Sequence, residues 1–255
     1  MLKNISKTLL CCAALFGANA NANLIEVDLE LQLLADVSGS VNSNEYALQL
    51  QGYSAAFRDT NVIDAILAGA NNSIAVQYIE WSSSSSQEVQ VDWTLIDSAQ
   101  DALDFANTLD ALTRAFSGLT APGDALTFGT DLFFNNDYTA ARQVIDVSGD
   151  GAHNSGSSTS AARDAALAAG VDTINGITIG DESGLSEFYQ NNIIGGIDAF
   201  HLHAATFGDF TAGIEQKLLR EITGGGGATV PEPSSIALFG LAILGLASAS
   251  RKKVK

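Results

Sequence analysis

Asp36-Val37-Ser38-Gly39-Ser40, at the end of an apolar run, places one carboxylate and two hydroxyls within five residues. All are hard oxygen ligands suited to a divalent cation. Mg2+ fits well, because it takes about six oxygens at about 2.0–2.1 Å and keeps several waters, so few protein ligands suffice. Ser hydroxyls add no charge, which leaves such an ion electrophilic. One loop makes a weak seat, so further oxygens are sought at the ends of neighbouring elements. Gly118 to Leu126 offers the Thr120 hydroxyl in a loop before a helix. Val144 to Gly151 ends a strand with carboxylates, Asp146 inside it and Asp150 beyond it, followed by Gly151. Taken alone, Asp-x-Ser-x-Ser also fits an N-cap loop whose side chains satisfy helix amides.

The elements around these residues alternate. Val27 to Ala35 reads as a strand whose last part is buried on both faces, and Asn44 to Phe57 reads as a helix. Ser73 to Trp81 is rich in β-formers. After the polar break Ser82 to Ser86, Glu88 to Thr94 alternates strictly, so the pair forms a hairpin and gives the sheet an antiparallel edge strand. Ala102, Leu103, Ala106, Leu109 and Leu112 recur at helical spacing within Ser98 to Ala115, with Ser98 as N-cap. Further helices are expected at Asp124 to Phe134, Ser160 to Ala169 (ended by Gly170) and Thr211 to Ile222. Further strands are expected at Gln143 to Val147, Ile174 to Ile179 and Ala199 to Thr206. This order predicts an α/β fold: a doubly wound, mainly parallel sheet with one antiparallel edge strand and helices on both faces. Ligands of such sheets bind beyond the carboxyl ends of the strands, where the Asp36 loop falls.

The Asp-x-Ser-x-Ser loop resembles the metal-ion-dependent adhesion site (MIDAS) of von Willebrand factor type A (vWA) domains, which have a Rossmann-like fold. In that family the loop is joined by a loop Thr and by the Asp of a Thr-Asp-Gly-like strand end. The resemblance assigns the metal to Asp36, Ser38, Ser40, Thr120 and Asp150, with Asp146 the competing carboxylate inside its strand. Gly149 departs from the pattern, which often has Thr or Ser there. More narrowly, Val37 to Ser40, Ile79-Glu80-Trp81-Ser82, Trp93 to Asp97, Val144 to Gly151 and Ile193-Ile194-Gly195-Gly196 look like the bacterial DUF1194 group, over residues 26 to 222. That group is defined by sequence and brings no established activity. The vWA resemblance implies one divalent cation, Mg2+ first, with Mn2+ or Ca2+ also suited to oxygen ligands. It implies a partner, a protein or acidic polymer, that supplies a carboxylate to the metal.

Both ends read as processing signals. Lys3 and Lys7, the apolar stretch Thr8 to Phe16 and the small residues Ala18 to Ala22 form a signal peptide over residues 1–22. Cys11 and Cys12 lie within it, so the mature chain is expected to carry no cysteine, and a sizeable core must replace disulfides. At the other end, a Gly-rich linker (224–230) leads to Pro231-Glu232-Pro233, an apolar segment from Ile236 to about Ala249, and a basic terminus. Residues 231–255 resemble the PEP-CTERM sorting signal of Gram-negative bacteria, which an exosortase is thought to process. As a helix the apolar segment spans about 20 Å against a ~30 Å hydrocarbon core, in keeping with transient inner-membrane association, the alternative being a permanent C-terminal anchor. The expected vWA-like domain is therefore 23–223. Losing Lys3 and Lys7 at one end, and Glu232 with Arg251, Lys252, Lys253 and Lys255 at the other, removes a net five positive charges. The chain's −17 becomes about −22. Such a field repels nucleic acid and anionic membranes.

Enzyme signatures are sparse. The sequence contains no Gly-x-Ser-x-Gly elbow and no Gly-x-x-x-x-Gly-Lys phosphate loop. A haloacid dehalogenase-type phosphatase would need a carboxylate two residues after Asp36, where Ser38 stands, and a hydroxyl is no acid/base near neutral pH. The expectation is a non-enzymatic, exported adhesion module at the cell surface, acting in surface or matrix assembly. A hydrolase using the same metal to activate water, and a structural surface protein with a relict site, are the alternatives. His201-Leu202-His203 puts two imidazoles on one strand face, but with no third soft ligand nearby a packed or solvated pair is expected. His153 reads as a loop residue, and Trp81 and Trp93 as hairpin core or edge residues.

Overall fold

The computed structural model describes residues 24–224. The signal-peptide segment and the Pro-Glu-Pro and apolar tail lie outside the described residues. Strand β1 (Ile25–Val27) pairs only with the short β5 (Tyr138–Ala140), apart from the main sheet. The central strand β2 (Leu29–Asp36) is buried along its whole length, which explains its nearly unbroken apolar sequence. Its polar members are Glu30, Gln32 and the terminal Asp36, and Gln32 Oε1 is left without a partner. Gln32 Nε2 donates to Gln77 Oε1 (2.8 Å) and to the Gly129 carbonyl, and Glu30 accepts from Asn136 and Gln143.

Helices α1 (Ser43–Arg58) and α2 (Thr60–Leu67) follow, then the hairpin β3 (Ile74–Trp81) and β4 (Gln87–Ile96). A capping box starts α1: Asn42 Oδ1 accepts the Asn44 and Glu45 amides, and Glu45 Oε2 accepts the Asn42 amide. The remaining elements are α3 (Ala99–Asp110), α4 (Pro122–Phe133), β5, β6 (Gln143–Gly149), α5 (Thr159–Ala169), β7 (Thr173–Ile179), α6 (Leu185–Asn192), β8 (Gly195–Gly196), β9 (His201–Ala204) and α7 (Phe207–Ile222).

Strand order in the main sheet is β4-β3-β2-β6-β7, with β8 and β9 both pairing with β7. β2, β3, β6, β7 and β9 run parallel to one another, β4 is the expected antiparallel edge, and β8 pairs antiparallel with β7. Two apolar clusters flank the sheet. One joins it to α1, α2, α3 and α7, where Tyr53, Phe57, Phe105 and Phe210 pack edge to face, and the other joins it to α4, α5 and α6. Sequence order reverses between β2 and β6, so the loops after these strands face each other at the switch point.

Some boundaries differ from expectation. Helix α3 stops at Asp110 rather than Ala115, and beyond it the Ala115 amide donates to buried Glu80. Helix α4 begins at Pro122, and α7 begins at Phe207 behind a Thr206 cap, which shortens the expected 199–206 strand to His201–Ala204. Helix α6 and the antiparallel bridge β8 were not expected. Gly170 ends α5 in the left-handed region, with φ 123°. Among the described residues no helix is long and apolar enough to cross a membrane.

Candidate metal centre

Strand β2 delivers Asp36 to the switch point fully buried. The chain then turns sharply: the Ser38 amide donates to Asp36 Oδ1 (2.7 Å), and the Val41 amide donates to the Ser38 carbonyl. Ser38 Oγ and Ser40 Oγ lie 3.1 Å apart, and Ser40 Oγ donates to Asp150 Oδ1 at 2.6 Å. Four of the five expected ligands thus form one hydrogen-bonded chain across the mouth of the β2 and β6 loops. Thr120 arrives on a third loop, which is fastened to the first where the Gly39 amide donates to the Gly118 carbonyl (2.8 Å). A Cβ built on Gly151 would lie 3.5 Å from Thr120 Oγ1, so Thr120 adjoins the Asp150 loop. Asn154 locks this junction: its Oδ1 accepts the Thr120 amide (2.7 Å), and its own amide donates to the Thr120 carbonyl.

Asp146 lies elsewhere. It sits inside β6, fully buried, with Oδ1 2.5 Å from Lys217 Nζ, and Lys217 also meets Glu221 Oε1 at 2.6 Å. Its carboxylate belongs to an ion cluster between β6 and α7.

The site favours a cation electrostatically. Burial, and then the negative Asp150 nearby, push the Asp36 carboxyl up to about 7. Burial also raises Asp150; the Ser40 hydrogen bond opposes this, and the negative Glu45 and Glu182 add to it. Asp36 Oδ2 is buried with no hydrogen-bond partner. A divalent ion among the two carboxylates and the Ser38 and Ser40 hydroxyls would offset each of these costs, with Thr120, whose Oγ1 lies 3.4 Å from Asn154 Nδ2, on the adjoining loop. The residues present therefore fit the cation that the MIDAS pattern implies.

Gly149 has a local reason. An added Cβ would meet Tyr189 Oη at 2.5 Å and Asp36 Oδ2 at 2.9 Å, so the tyrosine of α6 fills the space that Thr or Ser would need. Three more residues shape the site without having been singled out from the sequence. The Arg114 guanidinium donates to the carbonyls of Val37 (2.6 Å), Ser38 (2.5 Å), Val41 (2.7 Å) and Phe116 (2.7 Å), clamping the Asp-x-Ser-x-Ser backbone from beneath. Glu80, buried at the end of β3, accepts from Tyr46 Oη (2.7 Å) and from the Ala115 amide (2.8 Å), which fixes the Arg114 segment. Tyr189 is the third. A lone Arg or Tyr carries no spacing signal, whereas Glu80 stands out as a charge within an apolar strand.

Comparison with solved structures places the fold among vWA domains. Proximal thread matrix protein 1 from the mussel byssus, with a zinc-occupied MIDAS motif, matches with a TM-score of 0.58 at 15% identity, over 78% of this chain and 49% of that one. The pilus adhesin SpaC of Lactobacillus rhamnosus GG matches with a TM-score of 0.57 at 16% identity, over 78% and 31%. A von Willebrand factor type A protein from Catenulispora acidiphila matches with a TM-score of 0.54 at 14% identity, over 77% and 43%. This chain thus spans about half the length of the mussel protein and less of the other two. By sequence the chain belongs to the DUF1194 family, described as a protein of unknown function, which matches residues 26–226. A PEP-CTERM protein-sorting motif matches residues 229–252. No curated protein matches the chain.

Proposed function

We propose that this protein is an exported, metal-dependent adhesion module of a Gram-negative cell surface. Its domain spans residues 23–223, between a 1–22 leader and, after the 224–230 linker, a 231–255 sorting segment handled by an exosortase-type protease. Asp36, Ser38, Ser40, Thr120 and Asp150 would hold one divalent cation, Mg2+ first, directly or through water. Such a cation supplies an open coordination position for a carboxylate of a protein or acidic polymer. The protein's own part is to hold the oxygens: Arg114 and Asn154 fix the loops, and burial at the switch point keeps Asp36 away from competing water. The observation that carries this reading is the Ser38–Ser40–Asp150 hydrogen-bonded chain that follows a buried Asp36 whose Oδ2 has no partner. The PEP-CTERM motif and the adhesion and matrix proteins among the structural neighbours support the setting.

Calorimetric titration of Mg2+, Mn2+ and Ca2+ into the full-length protein, with Asp36→Ala and Ser40→Ala alongside, tests it. One saturable site in the wild type, lost in Asp36→Ala and weakened in Ser40→Ala, is expected. Equal, unsaturable uptake by all three proteins would sink the metal centre.

A further inference from the structure

A second cluster of ligand-type side chains stands on edge strand β9, separate from the five oxygen ligands. His201 and His203 are two residues apart and therefore project from the same face of the strand. Both rings converge on one oxygen: His201 Nε2 lies 2.9 Å, and His203 Nδ1 3.0 Å, from Thr178 Oγ1 on β7. The Ser186 hydroxyl of α6 adds a fourth group, 3.3 Å from the same atom. Thr178 is fully buried and fixes the floor, whereas His203 is exposed and His201 half-buried, so the cluster opens outward. The pair is packed on Thr178, as a structural strand pair would be, and in addition both imidazoles meet at a single atom.

We propose that His201 and His203 form a seat for a borderline transition-metal ion of the Cu2+, Ni2+ or Zn2+ class, with Thr178 or Ser186 and water completing it. Imidazole suits these ions, whereas the all-oxygen site suits Mg2+, so the two seats differ in preference. Two ring nitrogens within 3.0 Å of one atom bracket a place where an ion would make metal–nitrogen bonds of about 2.0–2.1 Å.

The chain has only three histidines, the third being His153, so the test is clean. Cu2+ is titrated into the full-length protein and followed by electron paramagnetic resonance for nitrogen coupling. The variants are His201→Asn, His203→Asn, the double variant, His153→Gln and Asp36→Ala; Cys11 and Cys12 are common to all. The expected result is one site with coupling to two imidazole nitrogens in wild type, His153→Gln and Asp36→Ala. Affinity should be at least about tenfold weaker in each single β9 variant, about 1.4 kcal/mol, and the site should vanish in the double variant. His203 is exposed, so its variant is expected to fold normally, with circular dichroism as the check. A wild-type spectrum without two-nitrogen coupling, or one that the folded His203→Asn protein reproduces at equal affinity, overturns the proposal.

Discussion

Arg114 shows how one side chain can set a loop's geometry without touching the ligand. Its donors are directed at the Val37, Ser38 and Val41 carbonyls, so the backbone that carries Ser38 and Ser40 is held by the guanidinium. A planar guanidinium suits this task because its fork reaches several acceptors at fixed angles, which an ammonium cannot do. Arg114→Ala leaves the Val37, Ser38 and Val41 carbonyls without this donor. A stability loss of about 2–3 kcal/mol is expected in denaturant titration, since hydrogen bonds to charged groups are each worth about 1.5–3 kcal/mol and water replaces part of them. Mg2+ affinity should fall by about tenfold, with Arg114→Lys recovering little of it. Unchanged affinity in a destabilised Arg114→Ala protein would show that the loop keeps its shape without the clamp. None of this was legible from residue types. Asp36, Ser38, Ser40, Thr120 and Asp150 announce themselves as oxygens at element ends, but Arg114 and Asn154 act through backbone atoms, and backbone geometry leaves no compositional trace.

Helix α7 and strand β6 are joined by a charge cluster, and its sign gives the pair a pH dependence. Lys217 is buried between Asp146 and Glu221, and Asn175 Nδ2 also donates to Glu221 Oε1 (2.9 Å). Burial pushes Asp146 up to about 7; Lys217 opposes the rise, and the negative Glu221 adds to it. Its folded pKa thus lies above the ordinary carboxylate value of 3.8, so the native state binds more protons than the unfolded state across this window. Stability from this group is complete below about pH 4 and is lost as pH rises towards 7. Asp146→Asn removes that slope, and unfolding curves at a series of pH values between these limits should show the variant's stability falling less with pH than the wild type's. Parallel curves for the two proteins would assign the slope to other groups. The same cluster marks a limit of sequence reading. The apolar periodicity that placed β2, β3, β6, β7 and α5 comes from burial, which strands and amphipathic helices display plainly. Helix α6 (Leu185–Asn192) is short and mostly polar, burying only Leu185 and Tyr189, and β8 is two glycines, so neither has a pattern to recognise. The segment after α3 is held by Glu80, 35 residues away in sequence and adjacent only after folding.

At the scale of the whole molecule, the domain's charge and its proposed ligand chemistry oppose each other. About −22 charges surround a site proposed to recruit a carboxylate, and Glu45, Asp150, Asp181 and Glu182 line the cleft beside it. An acidic polymer approaching that face is repelled at long range and held only at contact, through the cation. Added salt shortens the Debye length from about 10 Å at 0.1 M to about 3 Å at 1 M, which weakens the long-range repulsion more than the short-range coordination. Binding of poly-glutamate in saturating Mg2+ should therefore strengthen as NaCl rises over this range, mostly through a faster association rate, and should vanish on chelation of the metal. A basic partner docking on the acidic surface gives the opposite sign: binding that weakens steadily with salt and persists without the metal. Surface-based binding kinetics at two salt concentrations, with and without chelator, separate the two. The first pattern ties recognition to the switch-point oxygens; the second would transfer it to the acidic surface at large and leave Asp36 and its neighbours with a structural role.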